Sequence, residues 1–271
     1  MSFKIGKECQ IHPSAHIDVK EGSIGDRTII GENVRIEGTK VVIGKESFID
    51  RMATIGGGSC FDPQAELVAG DWLHMGVNSH LNTARGLYIG HEFGCGIETK
   101  VFTHGAYSDS YNLGAPTQWA AVHIGDQVWC PNAWINPGVK IGDRVVVAAR
   151  SLINIDLPAG CLAGGVPVKI LKVNHFPQKN NLLELMTGII EQTRLRLIQK
   201  DIHFQQDEIY LNLESHSLTV ELKAERTEFN LQKKLISGNE KEISLVLKDQ
   251  LRRNGLRFRF IFENKSWQPW S

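Results

Sequence analysis

One aliphatic residue recurs at every sixth position through the first two thirds of the chain, usually followed by glycine. Ile5, Ile11 and Ile17 begin the series. Ile24, Ile30 and Ile36, then Ile43, Ile49 and Ile55, repeat it with each triplet starting 19 residues after the last, and glycine stands at 6, 25, 31, 44 and 56. The period returns at Ile89, Cys95 and Val101, and again at Ile124, Ile135, Ile141, Val147 and Ile153. A spacing of six fits neither the turn of a helix nor plain alternation along a strand, but it fits a coil of three short flat faces. One residue per face points inward and stacks on its equivalents in neighbouring coils, while the glycine after it suits a tight corner. Ordinary strands with chance Ile-Gly pairs would not hold this phase over three successive triplets. The pattern predicts a parallel β-helix, a triangular prism in which each coil pairs with those above and below.

The period breaks twice, and a loop leaving a rigid stack is a natural place for function. The first break runs from about Ser59 to Tyr88 and contains Asp71, Trp72, His74, Asn78, His80 and Asn82. The second, FTHGAYSDSYNLGAPTQWAAVH over 102–123, is polar and aperiodic, which favours a functional excursion over a mere connection. His104 stands where the rigid wall ends and this loop starts. After Ile153 the run NIDLPAGCLAGGVPVKIL closes the stack with glycine and proline turns. From about Gln178 the apolar spacing becomes helix-like. Alternating stretches DEIYLNL, SLTVEL and TEFNL follow, then an amphipathic EISLVLKDQLRRNG and LRFRFIFEN. The expectation is a β-helix domain over 1–172 and, over 173–271, a helix leading into a small α+β unit of order strand, strand, strand, helix, strand. That second unit shows no catalytic motif, so it either caps the stack, holds subunits together or binds an acceptor.

Composition narrows the function. With 30 basic and 30 acidic residues the formal net charge is zero, and KKLISGNEK and LRRNGLRFR are short and interrupted, so no nucleic-acid surface is expected. The cysteines at 9, 60, 95, 130 and 161 form no CxxC pair; they read as buried small hydrophobes in a reducing compartment. MSFKIGKECQ lacks the apolar core of a signal peptide and no stretch has the length of a membrane span, so a cytoplasmic protein is expected.

IGDQVW at 124–129, INPGVKIGD at 135–143 and INIDLPAGCLAGGVPVKIL at 153–171 stand in the order and spacing of the hexapeptide-repeat acyltransferases. Residues 5–172 resemble that family, most closely its maltose, galactoside and xenobiotic O-acetyltransferase branch. The resemblance implies a left-handed β-helix, a homotrimer, and acetyl transfer from acetyl-CoA bound in a cleft between subunits. It implies that His104 is the catalytic histidine: an acceptor hydroxyl or amine must lose a proton as it attacks the thioester, and imidazole titrates near the working pH. It also matches Asn78, twelve residues before Gly90, to the asparagine that helps hold the acceptor.

On the donor side the resemblance places Trp129, Ala149 and Ser151 along the pantetheine, with Arg150, Lys169 and Lys172 facing CoA phosphates. Here the chain departs from the family. Trp129-Cys130-Pro131-Asn132 puts a proline, which has no N–H, where a backbone donor is usual. The Gly-Ala-Gly-Ser corner becomes Ala148-Ala149-Arg150-Ser151, and Ile155 replaces the usual lysine, for which Arg150 can substitute. Such corners suit either a retuned donor site or a scaffold that keeps the fold alone. Tyr107, Asp109, Tyr111 and Trp119 in the loop, with His80, suit a polyol acceptor, since rings stack on sugar faces and carboxylates accept from hydroxyls. Packing of the loop explains the aromatics equally well.

The expected function is thus acetyl transfer to a hydroxyl or amine, on a sugar or nucleotide sugar of a surface polysaccharide. The alternatives are a non-catalytic scaffold and a metalloenzyme like the γ-class carbonic anhydrases. The latter needs a histidine pair five apart, which His74, His80, His91 and His123 do not supply, so no metal is expected.

Overall fold

The computed structural model describes residues 3–106, 109–114, 116–174, 182–205, 208–212, 217–222, 225–232, 234–239 and 241–260. The chain divides into two compact units, Met1–Phe176 and Pro177–Ser271.

The first unit is a stack of parallel coils with three faces. One inward column runs Ile11, Ile30, Ile49, Met75, Cys95 and Cys130, each in register with the next. A second runs Ile17, Ile36, Ile55, Leu81, Val101, Ile135 and Ile153. The third runs Ile5, Ile24, Ile43, Ala69, Ile89, Ile124 and Ile141. Every periodic residue named from the sequence falls in one of these columns except Val147, which is buried and in register with Ala163 of the next strand. From Ile24 onward these positions are buried and form one continuous apolar core. Ile5 is 51% exposed because the described chain stacks nothing beneath the first coil. Burial pushes the Cys95 thiol up to about 12 and the Cys130 thiol in the same direction, so both are packing groups rather than nucleophiles.

Two corners of the prism are regular. Between the first and second faces the turn residues Asn33, Met52, Asn78, Glu98, Asn132 and Arg150 all have φ between +48° and +59°. Between the third face and the next coil's first face, the backbone N–H groups of Lys7, Lys45 and His91 donate to Asp26, Asp71 and Asp126 one coil further on. The remaining corner, between the second and third faces, is irregular. In the early coils single strands, His16–Ile24 and Arg35–Ile43, run straight through it. Later, the 57–65 segment, the 83–86 turn and the 105–118 loop all leave the stack there, so both breaks in the period open at one corner.

In the second unit helix α1 (Leu182–Gln199) and helix α2 (Glu242–Arg253) share an apolar core with a five-stranded sheet. Strands Ile209–Asn212, Ser217–Leu222, Glu225–Asn230 and Leu235–Gly238 form an antiparallel meander, and Arg259–Phe260 adds in parallel after α2. The sequence reading had three strands before the second helix. The fourth, LISG, is too short to show alternation and forms because its neighbour at 225–230 offers an open edge. Among the described residues no helix is long and apolar enough to cross a membrane.

Candidate active site at the irregular corner

His104 opens the excursion. Its strand, His104–Gly105, pairs antiparallel with Gln118–Trp119, placing His104 directly opposite Trp119. The Ala120 N–H donates to the Thr103 carbonyl at 3.0 Å, so the loop is zipped shut at its base.

Asn82, one coil earlier, fixes the imidazole. Its Nδ2 donates to the carbonyls of Gly56 and Gly58, both at 3.2 Å, which sets the orientation of the amide. Its Oδ1 then accepts from Thr103 Oγ1 at 2.9 Å and lies 2.8 Å from His104 Nδ1. An amide oxygen only accepts, so Nδ1 carries the proton, and in the neutral ring the lone pair sits on Nε2. Nε2 makes no hydrogen bond among the described residues. A Cβ placed on Gly58 would stand 3.6 Å from it, so the bare glycine leaves open space beside this nitrogen.

His80 lies on the same floor. A Cβ on Gly57, whose φ is +87°, would come within 2.9 Å of His80 Cε1. The His80 ring packs against Phe102 at 5.6 Å and Phe102 stacks on Trp134 at 4.8 Å, giving an aromatic strip along the second face. Burial lowers the His80 pKa, and the charges of Lys100 and His104 push the same way. Burial likewise lowers the His104 pKa, helped by the Arg85 guanidinium and opposed by Asp62. The result is a neutral imidazole with an accessible base nitrogen, suited to removing a proton from a hydroxyl or amine.

Other expected residues fall elsewhere. Asn78 sits at the regular corner with φ +59°, its carbonyl accepting from Lys100 Nζ at 3.0 Å; the asparagine that meets His104 is Asn82. Trp119, expected against a sugar, stacks on His104 with centroids 4.7 Å apart and planes at 17°. Asp109 accepts from the N–H groups of Tyr111 and Asn112 and shapes the loop tip, where Tyr111 is exposed. Tyr107 lies outside the described residues.

Of the donor-side residues, Ala149 and Arg150 are exposed at a corner of the last coils, Lys169 and Lys172 are exposed on the strand that folds back antiparallel on Leu162–Gly164, and Trp129 is 42% exposed. Three accessible cations suit a phosphate-rich ligand. Ser151 differs from expectation: it is buried, its hydroxyl donating to the Ala148 carbonyl and accepting from the Gly165 N–H, so it ties coils together instead of lining a channel. Among the described residues no group of three or more His, Cys, Asp or Glu side chains could hold a metal ion. The residues that sequence reasoning missed are Asn82, Arg85, Asp62 and the pair Gly57–Gly58. The run of three glycines at 56–58 was the visible signal.

No family model matches the chain. YvoF of Bacillus subtilis, provisionally named an acetyltransferase, is 39% identical over 85 residues, covering 31% of this chain and 46% of that protein. Galactoside O-acetyltransferase of Escherichia coli K12 is 28% identical over 138 residues, covering 47% of this chain and 68% of that protein. Among solved structures, a hexapeptide-repeat acetyltransferase of Vibrio cholerae complexed with acetyl-CoA is 25% identical, covering 56% of this chain and 71% of that one with a TM-score of 0.40. The chain thus spans about half the length of YvoF.

Proposed function

We propose that this chain, a member of the hexapeptide-repeat acetyltransferase family, transfers an acetyl group from acetyl-CoA to a hydroxyl or amine of a sugar-like acceptor, with His104 as general base. The observation that carries the reading is the fixed imidazole: Nδ1–H held by Asn82 and Nε2 facing the open space over Gly58.

Bound acetyl-CoA supplies the acetyl group as a thioester. His104 takes the acceptor's proton at Nε2 as the acceptor attacks, and returns it to the departing sulfur. Asn82 keeps Nδ1–H satisfied throughout, so the ring stays in the tautomer the reaction needs. Arg150, Lys169 and Lys172 would hold the phosphates. Arg150 occupies the corner between the first and second faces and the two lysines lie on the strand that closes the stack, whereas His104 occupies the next corner round. A homotrimer would bring one copy's donor corner to a neighbour's base at a shared seam, which is the assembly we propose. The sugar-like acceptor is supported by the galactoside-acetylating relative and by the half-buried aromatic strip His80–Phe102–Trp134 beside the base. A polysaccharide precursor such as a nucleotide sugar is the acceptor we favour.

The test is thiol release from acetyl-CoA by the purified chain across a panel of glycosides, amino sugars and nucleotide sugars. Acceptor-dependent release with a mass increase of one acetyl group supports the reading. Absence of both CoA binding and release across the panel would leave the scaffold alternative standing.

A further inference from the structure

Two residues outside the proton-transfer pair close around His104. Trp119 stacks on it across the base of the loop, the two ring planes nearly parallel at 17° and their centroids 4.7 Å apart. The Arg85 guanidinium carbon lies 4.4 Å from the same indole ring, in cation–π contact. Arg85 is itself held: its Nη1 donates to the Ala84 carbonyl at 2.7 Å and reaches Asp62 Oδ2 at 3.5 Å, and its backbone N–H donates to Thr103 Oγ1 at 3.0 Å. Three excursions of the irregular corner, 57–65, 83–86 and the loop, thereby meet on one imidazole.

We propose that Arg85 and Trp119 form a positioning clamp that fixes the plane of the His104 ring and couples the closed base of the 105–118 loop to the readiness of Nε2. This rests on His104 being the base. The Asn82 hydrogen bond alone leaves the ring free to swing about the Nδ1–Oδ1 line. A stacked indole removes that freedom, and Arg85 holds the indole in place. The same geometry sets the charge near the ring. Arg85 from the 83–86 turn disfavours a second proton on His104, while Asp62 from the 57–65 segment favours it; the pKa of His80, from the second face, is itself lowered by burial and by the charges of Lys100 and His104.

The experiment follows the His104 ring resonances by NMR against pH in the full-length protein, assigned by loss in His104→Gln, alongside kcat and KM. Arg85→Gln should raise the His104 titration midpoint and move the acid limb of kcat/KM upward with it; Asp62→Asn should move both downward; Arg85→Lys should keep the wild-type midpoint. Trp119→Ala should lower kcat by about tenfold or more with KM for acetyl-CoA unchanged, as expected for a misplaced base, and Trp119→Phe should restore most of it. An Arg85→Gln midpoint equal to wild type, or full kcat in Trp119→Ala, overturns the clamp. Retained turnover in His104→Gln instead overturns the base assignment, and the NMR titration reads the clamp independently of turnover.

Discussion

Two corners of the prism, built from neighbouring stretches of the same coils, have opposite characters. The corner between the first and second faces repeats one turn with a left-handed residue in six successive coils, whatever its type: Asn33, Met52, Asn78, Glu98, Asn132, Arg150. The corner between the second and third faces changes from coil to coil, and it is there that His104, Asn82, Arg85 and Trp119 converge. The regular corner is a structural requirement of the fold, and its side chains are free to vary. The irregular corner is where the chain uses the rigidity of its neighbours to hold side chains that the hexad itself does not need. The two asparagines express the contrast: Asn78 serves its backbone, whereas Asn82 is 1% exposed and serves a network.

The largest effect expected from disturbing this contrast is that of His104→Ala, which should cut acetyl transfer by about two to four orders of magnitude, the usual value of a general base. Its melting temperature should stay near wild type, because the ring is only half buried; a steady-state assay and a thermal scan check both. Asn82→Ala comes next. It leaves the Thr103 N–H and the His104 Nδ1–H without their acceptor, so turnover should fall at least tenfold and stability by about 1–3 kcal/mol, the cost of unsatisfied buried polar groups. Asn78→Gly should stay within about twofold of wild-type turnover, since glycine accepts positive φ readily. Equal losses in the two variants would erase the distinction between the corners.

A smaller effect is expected for Gly58→Ala. The new methyl would stand in ordinary contact with the His104 ring at 3.6 Å, so the protein should fold and lose affinity for bulky acceptors more than kcat. The mildest effect concerns pH. A base acts only when unprotonated, and burial with Arg85 holds His104 below its ordinary value. The acid limb of kcat/KM should therefore fall below the midpoint of a free histidine, with full activity retained above it. A limb at or above the free-histidine midpoint would contradict the environment described for the ring.

Much of this was legible in the chain. The hexad identified the inward columns, because an inward aliphatic residue is the one feature every coil must supply. The polar run after Val101 marked the excursion and put His104 at its root. The choice between Asn78 and Asn82 was legible only in part. Counting back from Gly90 favours Asn78, but Asn82 directly follows the column residue Leu81, as Phe102 follows Val101, and that phase places it beside the loop root. In the second unit, helix spacing and alternation marked both helices and four of the five strands, while the short LISG strand carried no period of its own.

What the sequence determined by itself is the prism: a local period of six, repeated, leaves few ways to bury its aliphatic residues. Only the tertiary structure decided which polar residues meet, and the reason is the length of the coils. From Ile43 to Ala69, Ala69 to Ile89 and Ile89 to Ile124, successive turns take 26, 20 and 35 residues. Insertions of unequal length destroy any fixed spacing between Asp62, Asn82, Arg85, His104 and Trp119. Stacking of the coils restores their proximity, and the hydrogen bonds and ring contacts that result exist only once the stack is formed.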